Sequence, residues 1–227
     1  MGFTIGGIRD IRELRSASRR RGRATECTAA AEYTGLWGWD VTAGVRASPA
    51  GACSCGDADC AAPGAHPLGF FPGVGAGATL DEVTRAWSEV PGASVLLPVG
   101  RGFDVIDVAL GAGVHALARL ERMGLPLGPV LATPTGRAYF FVAPGAAAEL
   151  PALLYRMGWD DADLDLAGMG PGTHIVAPPS SMGTLGPVRW LRPPSPDTAA
   201  VPPARLLLGT LAYICHRVGR CRSRRSG

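Results

Sequence analysis

The segment Phe103-Asp104-Val105-Ile106-Asp107-Val108-Ala109 constrains this chain more than any other. Its β-branched and aromatic residues predict a strand, yet two acids stand among the apolar neighbours. Side chains alternate across a strand, so residues 105, 107 and 109 share one face while Asp104 takes the other. A carboxylate in such a strand is costly unless it is paired or binds a cation. Asp165, in Asp163-Leu164-Asp165-Leu166, likewise sits between apolar neighbours on a second predicted strand. Two carboxylates from separate strands are what a divalent ion needs to hold a nucleoside triphosphate. The plainer alternative is a pair of edge-strand acids facing water.

The surrounding pattern mixes both periods. Ile5, Ile8, Ile11 and Leu14 predict a short amphipathic helix before Arg19-Arg20-Arg21, and a second helix is expected over 24–33. Residues 36–45 alternate as a strand with Trp37, Trp39 and Val41 on one side. Thr79-Leu80-Asp81-Glu82 is a capping box that opens a helix through Trp87. Strands are expected over 95–98, 103–109, 163–167, 174–177 and 188–191, and helices over 113–123 and 146–157. Residues 130–133 and 137–142 predict a hairpin around Pro134-Thr135-Gly136. Helices interleaved with antiparallel hairpins imply an α+β fold. At 227 residues the expectation is one domain over 24–193. It is preceded by a basic arm over 1–23 and followed, over 194–227, by a proline-rich linker, a short helix and an arginine tail.

Charge is divided along the chain. All 22 basic residues are arginine, which fits a bias toward GC-rich codons better than a chosen chemistry. Residues 1–26 hold seven arginines against three acids, and residues 214–227 hold five against none. Residues 27–213 keep ten arginines and sixteen acids, a net −6 beneath the whole-chain +3. Nonspecific phosphate binding therefore falls to the arginine-rich tails. No apolar run reaches the ~18 residues that cross a bilayer. The first eleven residues lack the basic start and apolar centre of a secretory signal, so the expectation is a cytoplasmic protein without a membrane partner.

Cys53-Ser54-Cys55-Gly56-Asp57-Ala58-Asp59-Cys60, followed by His66, gathers four candidate zinc ligands within fourteen residues. Thiolates and an imidazole suit a tetrahedral zinc, and a glycine-rich loop lets a short chain wrap a small ion. Asp57 or Asp59 could complete the shell instead, and the plain alternative is an unligated cysteine loop. Cys27, Cys215 and Cys221 read as ordinary thiols.

The order of these blocks carries more information than any one of them. Gly38-Trp39-Asp40-Val41, the cysteine loop ending Pro63-Gly64-Ala65-His66-Pro67, and a helix with Trp87 come first. Next are Phe103-Asp104-Val105-Ile106-Asp107, Thr133-Pro134-Thr135-Gly136-Arg137, Leu164-Asp165-Leu166 and Ile175-Val176-Ala177-Pro178-Pro179-Ser180-Ser181. In this order, over residues 24–193, the chain resembles the bifunctional DNA primase/polymerase N-terminal family of the archaeo-eukaryotic primase superfamily.

That resemblance implies a primase-polymerase-like fold, an RRM-like mixed or antiparallel sheet flanked by helices with a short cysteine-rich loop. It implies Asp107 and Asp165 as catalytic acids holding Mg or Mn, and Arg137, Thr135 and His174 at the nucleotide. It also implies DNA and nucleoside triphosphates as partners, with any helicase on a separate chain. The match departs from the family at three places. Ala109 stands where the second acid of the Asp-x-Asp motif belongs, Ala138 at the apparent histidine position, and Ala167 where an arginine commonly follows the third acid. The leading expectation is a protein of DNA replication or repair with lost or weak nucleotidyl transfer, retaining nucleotide or nucleic-acid binding. An active enzyme using Asp107 and Asp165, with Asp163 or His174 as a rearranged third ligand, is the second. A nonenzymatic zinc-bearing interaction module is the third.

Overall fold

A computed structural model describes residues 26–48, 50–160, 162–196 and 201–223, without the side chains of 220–223. The amphipathic pattern over 5–14, the basic arm over 1–23 and the last four residues lie outside the described residues.

The acid-bearing segment forms strand β3, Asp104–Ala109, in the interior of a five-stranded sheet. It pairs on one side with β5, Arg137–Val142, and on the other with β6, Leu166–Met169. β5 pairs in turn with β4, Val130–Ala132, and β4 with β8, Arg189–Arg192. All these pairings are antiparallel. With α3 (Leu110–Arg122) and α4 (Ala146–Arg156), the chain runs β3-α3-β4-β5-α4-β6 while the sheet order is β6-β3-β5-β4-β8. That is the split βαβ arrangement of an RRM-like sheet, with β8 added at one edge. The expected α+β fold is the one observed.

The alternation along β3 sorts the sheet into two faces. Ile106 and Val108, with Ala138, Phe140 and Val142 of β5, bury against α3, α4 and the C-terminal helix α5, Arg205–Ser223. α3 comes close to the sheet because both contacting residues are small: a Cβ on Gly113 would lie 2.4 Å from the Cβ of Ala138. The opposite face carries Phe103, Val105, Leu131 and Phe141. It packs on helix α1 (26–35) and on a smaller antiparallel sheet of β1 (Thr42–Gly44), β2 (Ser94–Pro98) and β7 (His174–Val176). Five rings cluster on this face: Phe103 and Phe141 stack at 4.2 Å, Trp39 lies 5.3 Å from each, and Tyr33 and Trp190 close the cluster. Helix α2, Leu80–Glu89, starts at the predicted capping box, with Thr79 and Glu82 each accepting a main-chain hydrogen bond.

Asp104 is fully buried on the helical face. Its Oδ2 accepts a 2.8 Å hydrogen bond from the Ala147 amide in the first turn of α4. Gly145, the residue preceding that helix, provides no side-chain cap. A carboxylate from another element thus meets the positive end of the helix and satisfies an orphan amide.

Three expected elements differ in extent. The strand over 36–45 shortens to Thr42–Gly44, because the Trp39 amide turns back to the Tyr33 carbonyl. The strand over 163–167 moves to Leu166–Met169, since the Leu166 amide closes a turn on Leu164 and leaves Asp165 before the ladder. The short C-terminal helix is a 19-residue helix. Its leucines Leu207, Leu208 and Leu211 are buried against α3, and Arg217, Arg220 and Arg222 fall in its last turns, where the helix dipole favours positive charge. Among the described residues, no helix is long and apolar enough to cross a membrane.

The block from His174 to Ser181 acts as a latch. The Pro178–Pro179 peptide is cis, and the Pro178 carbonyl accepts from the Tyr33 hydroxyl. Buried Ser180 accepts the Val95 amide at its Oγ, 2.8 Å away. Ser180→Ala strands that amide in the interior, so urea unfolding should show a loss of about 1–3 kcal/mol with an unchanged m-value.

Candidate active site and metal centre

At one end of the β3 face that looks away from α3, Asp107 stands in register between Tyr139 of β5 and Ala167 of β6. Ala109, two residues on, stands opposite Arg137. The Arg137 guanidinium bridges both candidate acids. Its Nε donates to Asp107 Oδ1 at 2.8 Å, and its Nη1 donates to Asp165 Oδ1 at 2.6 Å. The Asp107 and Arg137 side chains keep only 19% and 26% of their surface, whereas Asp165 keeps 51%, so the bridge is firmest at the Asp107 end.

Burial raises the Asp107 carboxyl above its ordinary range, outweighing the opposing pull of Arg137, and the nearby Asp165 charge adds to the rise. For Arg137, burial acts downward, but the two carboxylates more than reverse it and hold the guanidinium charged. Burial raises Tyr139 too, assisted by the Asp107 charge.

Of the residues expected from sequence, Asp107, Asp165 and Arg137 therefore meet. Thr135 is exposed at the tip of the β4–β5 turn, its hydroxyl 2.7 Å from that of Thr133. His174 lies on β7, paired with Pro98 in the smaller sheet and not on the sheet that carries Asp107; burial lowers its imidazole pKa. Asp163 and Asp165 share a cavity of about 340 Å³ with Ala109, Ala112 and, from α5, Cys215, Val218 and Gly219. Burial, with the charge of Asp165 assisting, pushes the Cys215 thiol up to about 11.

Two features escaped the sequence reading. Ala138, aligned there with the family's histidine, is fully buried on the opposite face against Gly113. It is small because α3 needs the room, and its identity says nothing about the site. The side chain directly across from Asp107 is Tyr139. Parity along β5 held the signal, since 137 and 139 share a face that 138 does not. The second is the wall from α5, which no local pattern marks.

Ala109 offers no oxygen, and Arg137 already engages one oxygen of each remaining acid. Among the described residues, three or more metal-ligating groups converge at Cys53, Cys55, Cys60 and His66.

That second cluster fits a metal well. Its four ligand atoms all lie within 4.8 Å of one another, with His66 Nε2 3.5 Å from Cys53 Sγ and 3.4 Å from Cys60 Sγ. His66 Nδ1 lies 3.2 Å from the Pro67 carbonyl, a contact that orients the ring with Nε2 toward the sulfurs. Burial opposes ionisation of Cys53, but amides of Cys55 and Gly64 and the neighbouring thiols bring it down to about 6. Cys60, although it accepts the Ala62 amide, is pushed up to about 11 by desolvation and by the other two thiols. The loop is anchored at Gly64, whose φ of 78° suits glycine and whose Cβ, if present, would press on the Gly183 amide at 3.2 Å. Asp57 instead accepts the Asp59 amide within the loop.

The domain is thus an RRM-like sheet with Asp107 on an interior strand, Asp165 beside it and a cysteine–histidine loop. The sequence profile described as bifunctional DNA primase/polymerase, N-terminal, matches residues 30–206, and the chain belongs to that family. No curated protein and no solved structure matches it.

Restoring the family's histidine by alignment should fail here. Ala138→His forces an imidazole into the α3–β5 contact and should cost about 3 kcal/mol or more in urea unfolding. It should bring no nucleotide incorporation.

Proposed function

We propose that this protein is a primase-polymerase-like member of the DNA replication or repair machinery that binds nucleotide or nucleic acid and has lost all or nearly all nucleotidyl transfer. One observation carries the reading: Ala109 occupies the site face beside Asp107, opposite Arg137, where a second carboxylate would have to project. Transfer with two metals needs carboxylates that clamp both ions while basic groups hold the phosphates. Losing one such group costs on the order of a thousandfold in rate.

Retained nucleic-acid binding is supported on the helical side. The Arg119 and Arg217 guanidiniums lie 5.6 and 5.8 Å from the ring centroid of exposed Tyr213. α5 holds Arg205, Arg217, Arg220 and Arg222 and no acid. Guanidiniums beside an aromatic ring suit a phosphate backbone and stacked bases, and the arginine-rich ends extend that charge. In this reading Thr135 and Arg137 are the groups offered to a triphosphate. A cytoplasmic location accords with this reading.

The cysteine loop holds zinc in this reading, with Cys53, Cys55, Cys60 and His66 as a closed structural set. Zinc would supply cross-linking to a loop that lacks a core of its own. An active enzyme is the second reading, favoured by the cavity that Asp163 and Asp165 share. It would hold Mg or Mn with Asp163 completing the site.

The deciding assay is incorporation of labelled nucleotide on a primed template with Mg²⁺ or Mn²⁺. The expected result is a rate indistinguishable from that of Asp107→Ala; synthesis that Asp107→Ala abolishes establishes the active enzyme instead. Fluorescence anisotropy with single-stranded DNA should show binding that weakens steeply with salt. Deleting residues 1–23 and 224–227, or Arg119→Ala with Arg217→Ala, should flatten that slope, and an unchanged slope refutes the electrostatic role. Protein purified without an affinity tag should contain about one equivalent of zinc, and chelation should lower its Tm. Retention of full zinc by Cys53→Ser with Cys60→Ser excludes this ligand set.

A further inference from the structure

A cation already stands between the two site acids, and it belongs to the chain. Resting on the family reading above, we propose that Arg137 is the resident cation of this site, replacing the divalent ion that such an acid pair would otherwise recruit. One oxygen of Asp107 and one of Asp165 are both spent on one guanidinium, at 2.8 and 2.6 Å. A divalent ion bridging the same acids would have to stand where the guanidinium is, since like charges cannot share that ground.

The fold fixes where the Arg137 side chain starts. Its main chain is pinned in the β4–β5 turn, where its amide donates to Thr133 Oγ1 at 3.1 Å and its carbonyl accepts the Thr133 amide at 2.9 Å. Its position opposite Ala109 is equally telling. Alanine leaves the guanidinium a path across the strand toward Asp107 and Asp165. An aspartate at 109 would offer it a third acid and compete for it. The loss of the second acid and the inward arginine are thus two parts of one arrangement: with two acids left, a single guanidinium can engage both, and no metal is required to keep them together. Partial burial of Asp107 adds to this, because a carboxylate largely removed from water is costly without a partner.

The consequence is a specificity. The wild-type site rejects hard divalent cations, and removing Arg137 uncovers a site for them. The test uses the full chain with its cysteine loop saturated with Zn²⁺, so that thiolates do not compete for the probe. Mn²⁺ is titrated and the free ion followed by its paramagnetic resonance signal, with Tm measured in Mn²⁺ and in Ca²⁺ at matched ionic strength. Wild type should bind no Mn²⁺ below millimolar concentration and show no shift in Tm. Arg137→Ala should melt lower without metal, bind one Mn²⁺ at least tenfold more tightly than wild type, and recover Tm with either ion. Arg137→Gln should behave likewise and serves if the alanine variant does not fold. In Asp107→Asn with Arg137→Ala the binding should vanish, which assigns the ion to this pair.

Wild type taking one Mn²⁺ in a manner lost in Asp107→Asn overturns the proposal. So does failure of both Arg137 variants to gain binding. These outcomes are separable from the fate of the functional reading. Metal binding without nucleotide incorporation sinks the resident arginine alone and leaves lost transfer resting on Ala109. Incorporation of nucleotide sinks the lost-transfer reading itself.

Discussion

Phe103 and Phe141 stack 4.2 Å apart between adjacent strands, and Trp39, Tyr33 and Trp190 pack around them. Through this contact the larger sheet, the smaller sheet and α1 become one body. Each such ring pair contributes about 0.5–1.5 kcal/mol beyond the area it buries. The cluster draws one residue or more from α1, from the stretch before β1, from the start of β3, from β5 and from β8, segments that span residues 33–190. Since Phe103 and Phe141 are fixed there, the register of β3 against β5 is fixed, and with it the positions of Asp107, Ala109, Arg137 and Tyr139 further along the same strands.

The two acids of β3 show how one strand resolves a conflict between burial and charge. Asp104 turns to the helical face and is held by the first turn of α4. Asp107 turns to the other face and is held by Arg137. Neither is left alone, yet the partners differ in kind: an aligned helix amide for one, a guanidinium from the neighbouring strand for the other. The first partner is part of the scaffold. The second spans two carboxylates, Asp107 and Asp165, at the end of the strand.

Much of this was legible locally. The capping box at Thr79, the hairpin around Pro134-Thr135-Gly136, the opposite facing of Asp104 and Asp107, and the convergence of Cys53, Cys55, Cys60 and His66 all follow from short-range spacing. Such features need only a few residues in sequence to be read. Ala138 misled because an alignment by motif allows one glycine more or less, whereas a strand allows no slip: one residue exchanges the faces. The motif that holds His174 belongs to the smaller sheet, where it fastens β7 and Ser180 to β2. The α5 wall of the cavity was invisible, since an apolar helix pattern does not say which groove receives it.

The sequence by itself determined the family, the α+β class, the acid strand and the metal-ligating loop. These rest on alternation, turn chemistry and ligand spacing, which are local properties of the chain. Tertiary structure alone decided what the acid strand faces. Arg137 is thirty residues from Asp107 and twenty-eight from Asp165, and only the antiparallel pairing of β3 with β5, and of β3 with β6, brings one guanidinium between them. Whether an acid meets a metal, an amide or an arginine depends on that register, and the register is set by how aromatic rings pack at the far end of the same strands.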